Sequence, residues 1–431
     1  MAFAQNGVRV IEKGYVARME AEKKAAVQRK ILMSRQAQQD KDMSVLTRKQ
    51  PEYNALNIML GNLAVSPSLT SSVSYVDNIY ETQNNTVKDF IFTNLARIGI
   101  KSDFLRHAFD ADLSFEDAQY QDRGDESYHD YKIYLGARLD VTDQWKVPLG
   151  FTQTREHTKR SDPEDRAGIA PTIFEETKFQ SGLRYAGYLI DIAYNTIVSK
   201  LLYRNNVSSS GVEIDNSDRD RTEMTHNLTF GLSEAYEISP IAYVGVKTVQ
   251  YDAAVDNFNI DRDSAGWDAG IGLRMNLSGV TSSTIKIGRV HRNFDDPSLA
   301  SVDVGIYGID LIWEPSSLMA VSLAGGRYVD ETSLSDASAS VNSSLGLGIT
   351  YELAPNIYVY PDIQYLIKDY RASDNREITR LTSGVDFVYK ANRNIWGTLS
   401  LENATQNEER SAVPQTESST NTIILSVKLQ I

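Results

Sequence analysis

The residues able to do acid–base, nucleophilic or metal chemistry are few and scattered. There are five histidines and no cysteine. His107, His129, His157, His226 and His291 form neither a His-x-x-x-His pair nor a Cys/His set, so a zinc site, a thiolate site and a disulfide all lack support. No Gly-x-Ser-x-Gly elbow or phosphate-binding loop occurs. Hydrolysis at a lipid surface would need a serine beside one of these histidines. His107 lies near a turn and His129 and His157 border long polar segments, but no nucleophile, base and orienting group come together in the pattern. No catalytic residue, cofactor site or metal ligand is therefore expected. Asp and Asn crowd three segments: Asp117, Asp122 and Asp125; Asp215, Asn216, Asp218 and Asp220; Asp252, Asp256, Asp261 and Asp263. Calcium needs six to eight oxygens, but no spacing here matches a calcium loop, so these read as solvated acidic loops.

A second group of charges points to physical rather than covalent chemistry. Lys132, Arg138, Asp140, Asp268, Arg274, Arg380, Asp386 and Lys428 each fall on the polar face of an alternating segment. In a water-filled lumen they would set a transverse field that orders or filters solutes. On a lipid-facing surface each would cost about 2–4 kcal/mol at the midplane. They are the candidate lumen-facing residues, and their mixed sign predicts weak ion selectivity.

The elements that must position them are strands. Trp267, Ala269, Ile271, Leu273, Met275 and Leu277 alternate with Asp268, Gly270, Gly272, Arg274 and Asn276. Tyr131, Ile133, Leu135, Ala137 and Leu139 alternate with Lys132, Tyr134, Gly136, Arg138 and Asp140, and Leu345–Leu353 follows the same period of two. Near Gly305–Ile309 the apolar face shifts from Ile306 to Ile309, which predicts a bulge. No apolar run is long enough to cross a bilayer as a helix, which takes about 20 residues. A strand that is apolar on one face crosses without such a run. The chain has 23 Tyr and 11 Pro, a composition favouring strands.

Turn residues near 101–103, 142–144, 186–187, 238–240, 278–279, 315–316, 354–356 and 392–394 mark short connections. Longer polar segments lie near 82–86, 117–127, 156–171, 204–221, 252–264, 293–300, 330–337, 371–376 and 407–417. This alternation predicts an all-β, up-and-down antiparallel transmembrane barrel of about eighteen strands, with turns and both termini periplasmic and loops outside. The last strand, Ile423, Leu425, Val427, Leu429 and Ile431, must close on a first strand near Val65–Glu81, because lipid tolerates no open edge. Tyr75, Tyr80, Trp145, Tyr185, Tyr188, Tyr236, Trp313, Tyr328, Tyr351, Tyr370, Tyr389 and Trp396 sit near strand ends, as interfacial girdles require.

Residues 1–50 differ from the barrel at 51–431. Gly14–Met43 is rich in helix formers with a thin apolar stripe, and reads as a helical or disordered periplasmic leader, with a plug or docking arm as the alternative. Ala2-Phe3-Ala4 has the form of a signal-cleavage site before Gln5, or is an ordinary N-terminus. The net charge of −13 argues against nucleic acid as a partner.

Several short motifs, in order, resemble one family. They are Ser66-Pro67-Ser68-Leu69 through Tyr75-Val76-Asp77-Asn78-Ile79-Tyr80, then Tyr236–Pro240, Arg262–Gly266, Asp295-Asp296-Pro297, Trp313–Ser316, and Gly326-Arg327-Tyr328 with Glu331-Thr332. From Val65 to Ile431 the chain resembles the Putative beta-barrel porin 2 family of Gram-negative outer-membrane proteins, with Ile431 where such barrels usually end in Phe. The resemblance implies an outer-membrane barrel and a link to exopolysaccharide production, hence a passive channel for glycan export. A general diffusion porin and a plugged scaffold acting through its loops are the alternatives. Expected partners are membrane lipid and lipopolysaccharide, the barrel-assembly machinery, and a polysaccharide or its export apparatus. The family brings no catalytic residues.

Overall fold

The computed structural model describes residues 44–431 except 49, 51, 163, 167, 278, 373 and 412. The helix expected over 14–43 and the cleavage pattern at 2–4 lie outside the described residues. A short strand β1 (Ile58–Leu60) folds back onto β2 (Leu63–Val76). The chain continues through β3 (Asp89–Ser102), β4 (Ala108–Tyr120), β5 (Tyr128–Asp140), β6 (Trp145–His157), β7 (Ile173–Ala186) and β8 (Ile190–Tyr203). A small hairpin, β9 (Asn206–Val207) and β10 (Glu213–Ile214), decorates the next connection. Then come β11 (Arg221–Leu232), β12 (Ile238–Tyr251), β13 (Ser264–Leu277), β14 (Thr281–Phe294), β15 (Val302–Ser316) and β16 (Met319–Asp330). The last are β17 (Ala337–Ala354), β18 (Ile357–Ala372), β19 (Glu377–Lys390), β20 (Ile395–Arg410) and β21 (Val413–Gln430).

Apart from β1, β9 and β10, these form one closed antiparallel barrel of 18 strands. Closure runs through β2 and β21, with Leu69 opposite Leu429 and Tyr75 opposite Ile423. Closure leaves no backbone edge to face lipid. Strand period fixes the faces. Leu69, Val73, Ile271, Leu425 and Val427 point outward and are exposed, while Ser72, Ser74, Thr93 and Thr420 point inward and are buried. The outer face is apolar and the inner face polar, the reverse of a soluble protein and the arrangement a membrane barrel requires.

Several strands outrun the expected boundaries. Residues 117–120 belong to β4, and Ile238–Pro240 opens β12 after a turn at 233–237. Pro240 sits early in its strand, a position proline tolerates. The segment 407–417, expected as a loop, is ladder: Glu408 pairs with Thr416 and Asn403 with Asn421, with Ser411 in the turn. Above the lipid the outer face need not be apolar, so the hydrophobic alternation vanishes while the strand continues. On the β20 side this hairpin stays paired with β19 as far as Glu409, but its β21 flank rises past β2, which stops at Val76, opposite Thr422.

The bulge expected near Gly305–Ile309 is absent. Pairing of β15 with β14 runs unbroken from Val302–Arg292 to Trp313–Thr281. The irregularity falls instead between Trp313 and Ser316, on the β16 side. There Val302, Val304 and Ile306 face inward for a different reason. Pairing of β15 with β16 ends at Gly308–Gly326, and beyond it the β16–β17 hairpin turns into the lumen. Val302 then packs against Ala339 and Val341, with Phe294, Val304 and Val329 around them.

The aromatic girdle is also narrower than expected. Trp145, Tyr188, Tyr236, Trp313, Tyr351 and Tyr389 are exposed at the short-turn end, and Tyr185 lies 4.9 Å from Trp145. Tyr80 is in a loop. Tyr328, Tyr370 and Trp396 take inward register positions, beside Asn342, Ser340 and Lys390. Aromatic residues near a strand end serve either face, and only register tells them apart.

Candidate functional site

Residues 158–172 join β6 to β7 and carry Lys159, Arg160, Asp162, Glu164, Asp165 and Arg166. Turned into the lumen, these charges need partners. Thr158 N–H donates to Thr172 O at 2.7 Å, closing the base of the loop. From there it crosses the lumen to the opposite wall. Gln406 Nε2 donates to Ser161 O at 3.4 Å, and Arg380 Nη1 to Ser161 Oγ at 3.5 Å. Lys368 Nζ lies 3.8 Å from Asp162 Oδ1. Glu164 accepts from Thr332 Oγ1 at 2.7 Å and from Ser333 N–H at 2.7 Å and Oγ at 2.6 Å. Near its own base, Arg160 pairs with Glu126 at 2.7 Å and Arg166 with Asp218 at 2.8 Å.

The inward-turned β16–β17 connection meets it. Arg262, almost fully buried, donates to Thr332 O at 2.9 Å, Leu334 O at 2.8 Å and Ala337 O at 3.1 Å, while pairing with Asp256 at 2.6 Å. Glu331 pairs with Arg292 and lies 3.6 Å from Lys247, which itself pairs with Glu223 at 2.8 Å. Two loops from opposite sides of the ring are thus tied together inside the long-connection end.

Beneath the 158–172 loop lies a cavity of about 160 Å³, lined by Glu81, Tyr120, Glu126, Tyr128, Lys159 and Arg380 among others. Arg380 grips Glu81 through both guanidinium nitrogens, Nη2–Oε1 being 2.8 Å. Burial raises the Glu81 carboxyl, but Arg380 outweighs it and holds the group below its ordinary range. Lys159 is enclosed here. Burial, then the Arg380 charge, push its ammonium down to about 8, against the pull of Glu81, Glu402 and Asp162. For Glu164, burial raises and Lys368 with the Ser333 and Thr332 hydrogen bonds lower, leaving it below its ordinary range.

All eight charges singled out from the sequence take inward register positions, but the structure does not gather them into one site. Arg380 alone belongs to the loop-crossed layer. Arg138 and Asp140 pair with each other at 2.7 and 2.9 Å near the short-turn end. Arg274 reaches Glu234 at 2.8 Å and Asp191 at 3.7 Å. Lys428 Nζ stands 5.0 Å from the Trp396 ring. Lys132 is flanked by Ser114 and Thr154, Asp268 by Gly245 and Val290, and Asp386 by Tyr360 and Ser400. Sequence reading missed Glu81, Lys159, Arg160, Glu164, Arg262 and Glu331. Arg262 and Glu331 stood in the motifs that carry the family resemblance, and Lys159, Arg160 and Glu164 in a connection dense with opposite charges, but nothing in the sequence named their partners. Among the described residues no group of His, Cys, Asp and Glu is placed to hold a metal ion.

A closed, outward-apolar barrel whose lumen is crossed by a tethered loop defines the class of outer-membrane porin-like barrels. The family model described as Putative beta-barrel porin 2 matches residues 50–431, and the chain belongs to that family. No curated protein matches it. Among solved structures, the outer membrane protein opdK from Pseudomonas aeruginosa is similar at 10% identity and a TM-score of 0.45, covering 85% of this chain and 99% of that one. OpdO from Pseudomonas aeruginosa shows 12% identity and a TM-score of 0.41 over 86% and 98%. The siderophore receptor PirA from Acinetobacter baumannii shows 7% identity and a TM-score of 0.42 over 85% and 80%. The barrel itself rests on the strand ladder, and the family on the sequence match.

Proposed function

We propose that this protein is a passive, non-enzymatic channel whose narrowest part is the layer crossed by residues 158–172, and that it carries an extracellular polysaccharide outward. The observation that carries this reading is the loop's attachment to both walls, through Glu126 on one side and Gln406, Arg380 and Thr332 on the other. Such a strut narrows a lumen and fixes charges of both signs along its path. A polar wall of Ser, Thr, Asn and Tyr suits a hydrated glycan chain that must slide without binding tightly. In this reading the short-turn end, where β2 begins and β21 ends, faces the periplasm. The apolar outer face meets lipid and lipopolysaccharide, and the β21 strand is what the barrel-assembly machinery engages.

The test is conductance of the refolded protein in planar bilayers, paired with uptake of neutral and acidic oligosaccharides into proteoliposomes. Steady conductance with oligosaccharide passage supports the reading. Conductance without it makes the protein a general diffusion porin. Silence from protein shown to be inserted leaves a plugged scaffold that works through its loops.

A further inference from the structure

The described chain ahead of β1 does not hang free below the barrel. It runs inside the short-turn mouth. Ser44 Oγ donates to Glu314 Oε1 at 2.5 Å, at the end of β15. Arg48 pairs with Glu352, near the end of β17. Lys390 Nζ, at the end of β19, donates to Gln50 Oε1 at 3.1 Å. Trp396 Nε1, at the start of β20, donates to Tyr53 O at 3.1 Å, and Ser66 Oγ of β2 donates to Asn57 Oδ1 at 2.7 Å. Lys390, Trp396, Glu352 and Ser66 all occupy inward register positions. The described residues between 44 and 57 therefore follow the inner circumference of the mouth from β15 round to β2, where the β1–β2 turn anchors them to the wall.

The way the segment is held matters as much as its path. Leu46 is 39% exposed and Leu56 65%, so little apolar surface fastens it. What fastens it is a handful of hydrogen bonds, which water can replace at modest net cost, and one ion pair to the buried Glu352. The wall beneath also has contacts of its own: Tyr358 Oη donates to Glu352 at 3.0 Å, and Lys390 lies 3.9 Å from the Tyr358 ring and 4.7 Å from Trp396. A segment held mainly by polar contacts, on a wall whose residues also pair with one another, can leave and return.

We infer that residues 44–57 form a displaceable strap that narrows the short-turn mouth when docked and widens it when released. The inference rests on the channel reading above. Its test uses the absence of cysteine: Ser44→Cys with Glu314→Cys in the full chain, recorded in a planar bilayer before and after adding reductant, pins and then frees the strap in one molecule. Conductance rising about twofold or more on reduction, with the cysteine-free protein between the two states, is the expected result. The variant Arg48→Ala, which needs no new bond to form, should resemble the reduced state. Equal, steady conductance in oxidised and reduced forms, with the disulfide verified, overturns the strap alone. Silence in every form of inserted protein overturns the channel and the strap with it.

Discussion

Arg380 on β19 and Glu81 in the β2–β3 connection are 299 positions apart in sequence, yet they form a two-pronged ion pair inside the barrel. The pair ties a connection at the beginning of the barrel to a wall strand near its end, and it shares Arg380 with Ser161 of the crossing loop. Removing one partner leaves a mostly buried charge, a loss of about 3–5 kcal/mol when desolvation is complete. Glu81→Gln should lower the guanidinium midpoint of the refolded barrel and raise open-channel current noise. Unchanged noise would show that the pair does not steady the loop.

Removing the crossing loop should act more strongly. Replacing residues 160–170 with a short Gly-Ser linker takes away the ties to Glu126, Gln406 and Thr332, and conductance should rise at least about twofold if this layer is the narrowest. A conductance equal to the parent's would place the constriction elsewhere.

Lys159 gives the layer a pH response. Its ammonium titrates near 8, depressed by burial and then by Arg380. Below that pH the site carries one more positive charge than above it. Cation preference, read from reversal potentials in a salt gradient, should increase as pH rises from 7 to 9, and Lys159→Gln should reduce the increase. The same depression means the unfolded chain holds this proton at pH values between about 8 and the ordinary lysine value, so stability should rise with pH across that interval.

Two directly paired glycines should be intolerant of side chains. Gly270 and Gly288 face each other on the inner wall, and a Cβ on Gly270 would sit 2.5 Å from the Tyr243 hydroxyl with strand backbone close on the other side. The Tyr243 ring lies over the gap they leave. Gly270→Ala should cost about 1–3 kcal/mol, as overpacking does elsewhere, measured as a shift in unfolding midpoint. Gly397, on the outer face with open space around it, is the permissive control.

The face assignment itself can be tested with arginine. Ile271→Arg and Leu425→Arg place a charge on the outer face, where the penalty at the midplane is about 2–4 kcal/mol. Ser426→Arg, one residue from the second of these, should refold nearly as well as the parent. Equal penalties at 425 and 426 would contradict the register.

How much of this was legible in the sequence follows from where lipid dictates residue type. Between Trp267 and Leu277, or Ile423 and Ile431, one face must be apolar, so faces, strand identity and closure could be read directly. Above the lipid that constraint lapses. The strands through 117–120 (Asp-Ala-Gln-Tyr) and 407–417, which is mostly Asn, Glu, Arg, Gln and Thr, keep no apolar face and read as loop. Lumen contacts were hidden for another reason: Glu81–Arg380 and Glu164–Thr332 join residues that only barrel closure brings together, and charge type alone does not name a partner. Tyr370 and Trp396 show the same limit, since their distance from a turn was legible but their face was not.

Closing a barrel disposes of strand edges, yet this one regrows an edge in water. Where β20 and β21 rise past the end of β2, the flank of β21 from Val413 to Ser418 has no neighbouring strand. The backbone of Ser419 and Asn421 is still covered by Asn78 and Asp77. The uncovered stretch carries Pro414 and Glu417 and is otherwise largely polar, the composition that discourages sheet-to-sheet addition. The ribbon is thus a surface feature guarded against its own kind. Neighbouring barrels can crowd together in the membrane without their ribbons zipping into a shared sheet.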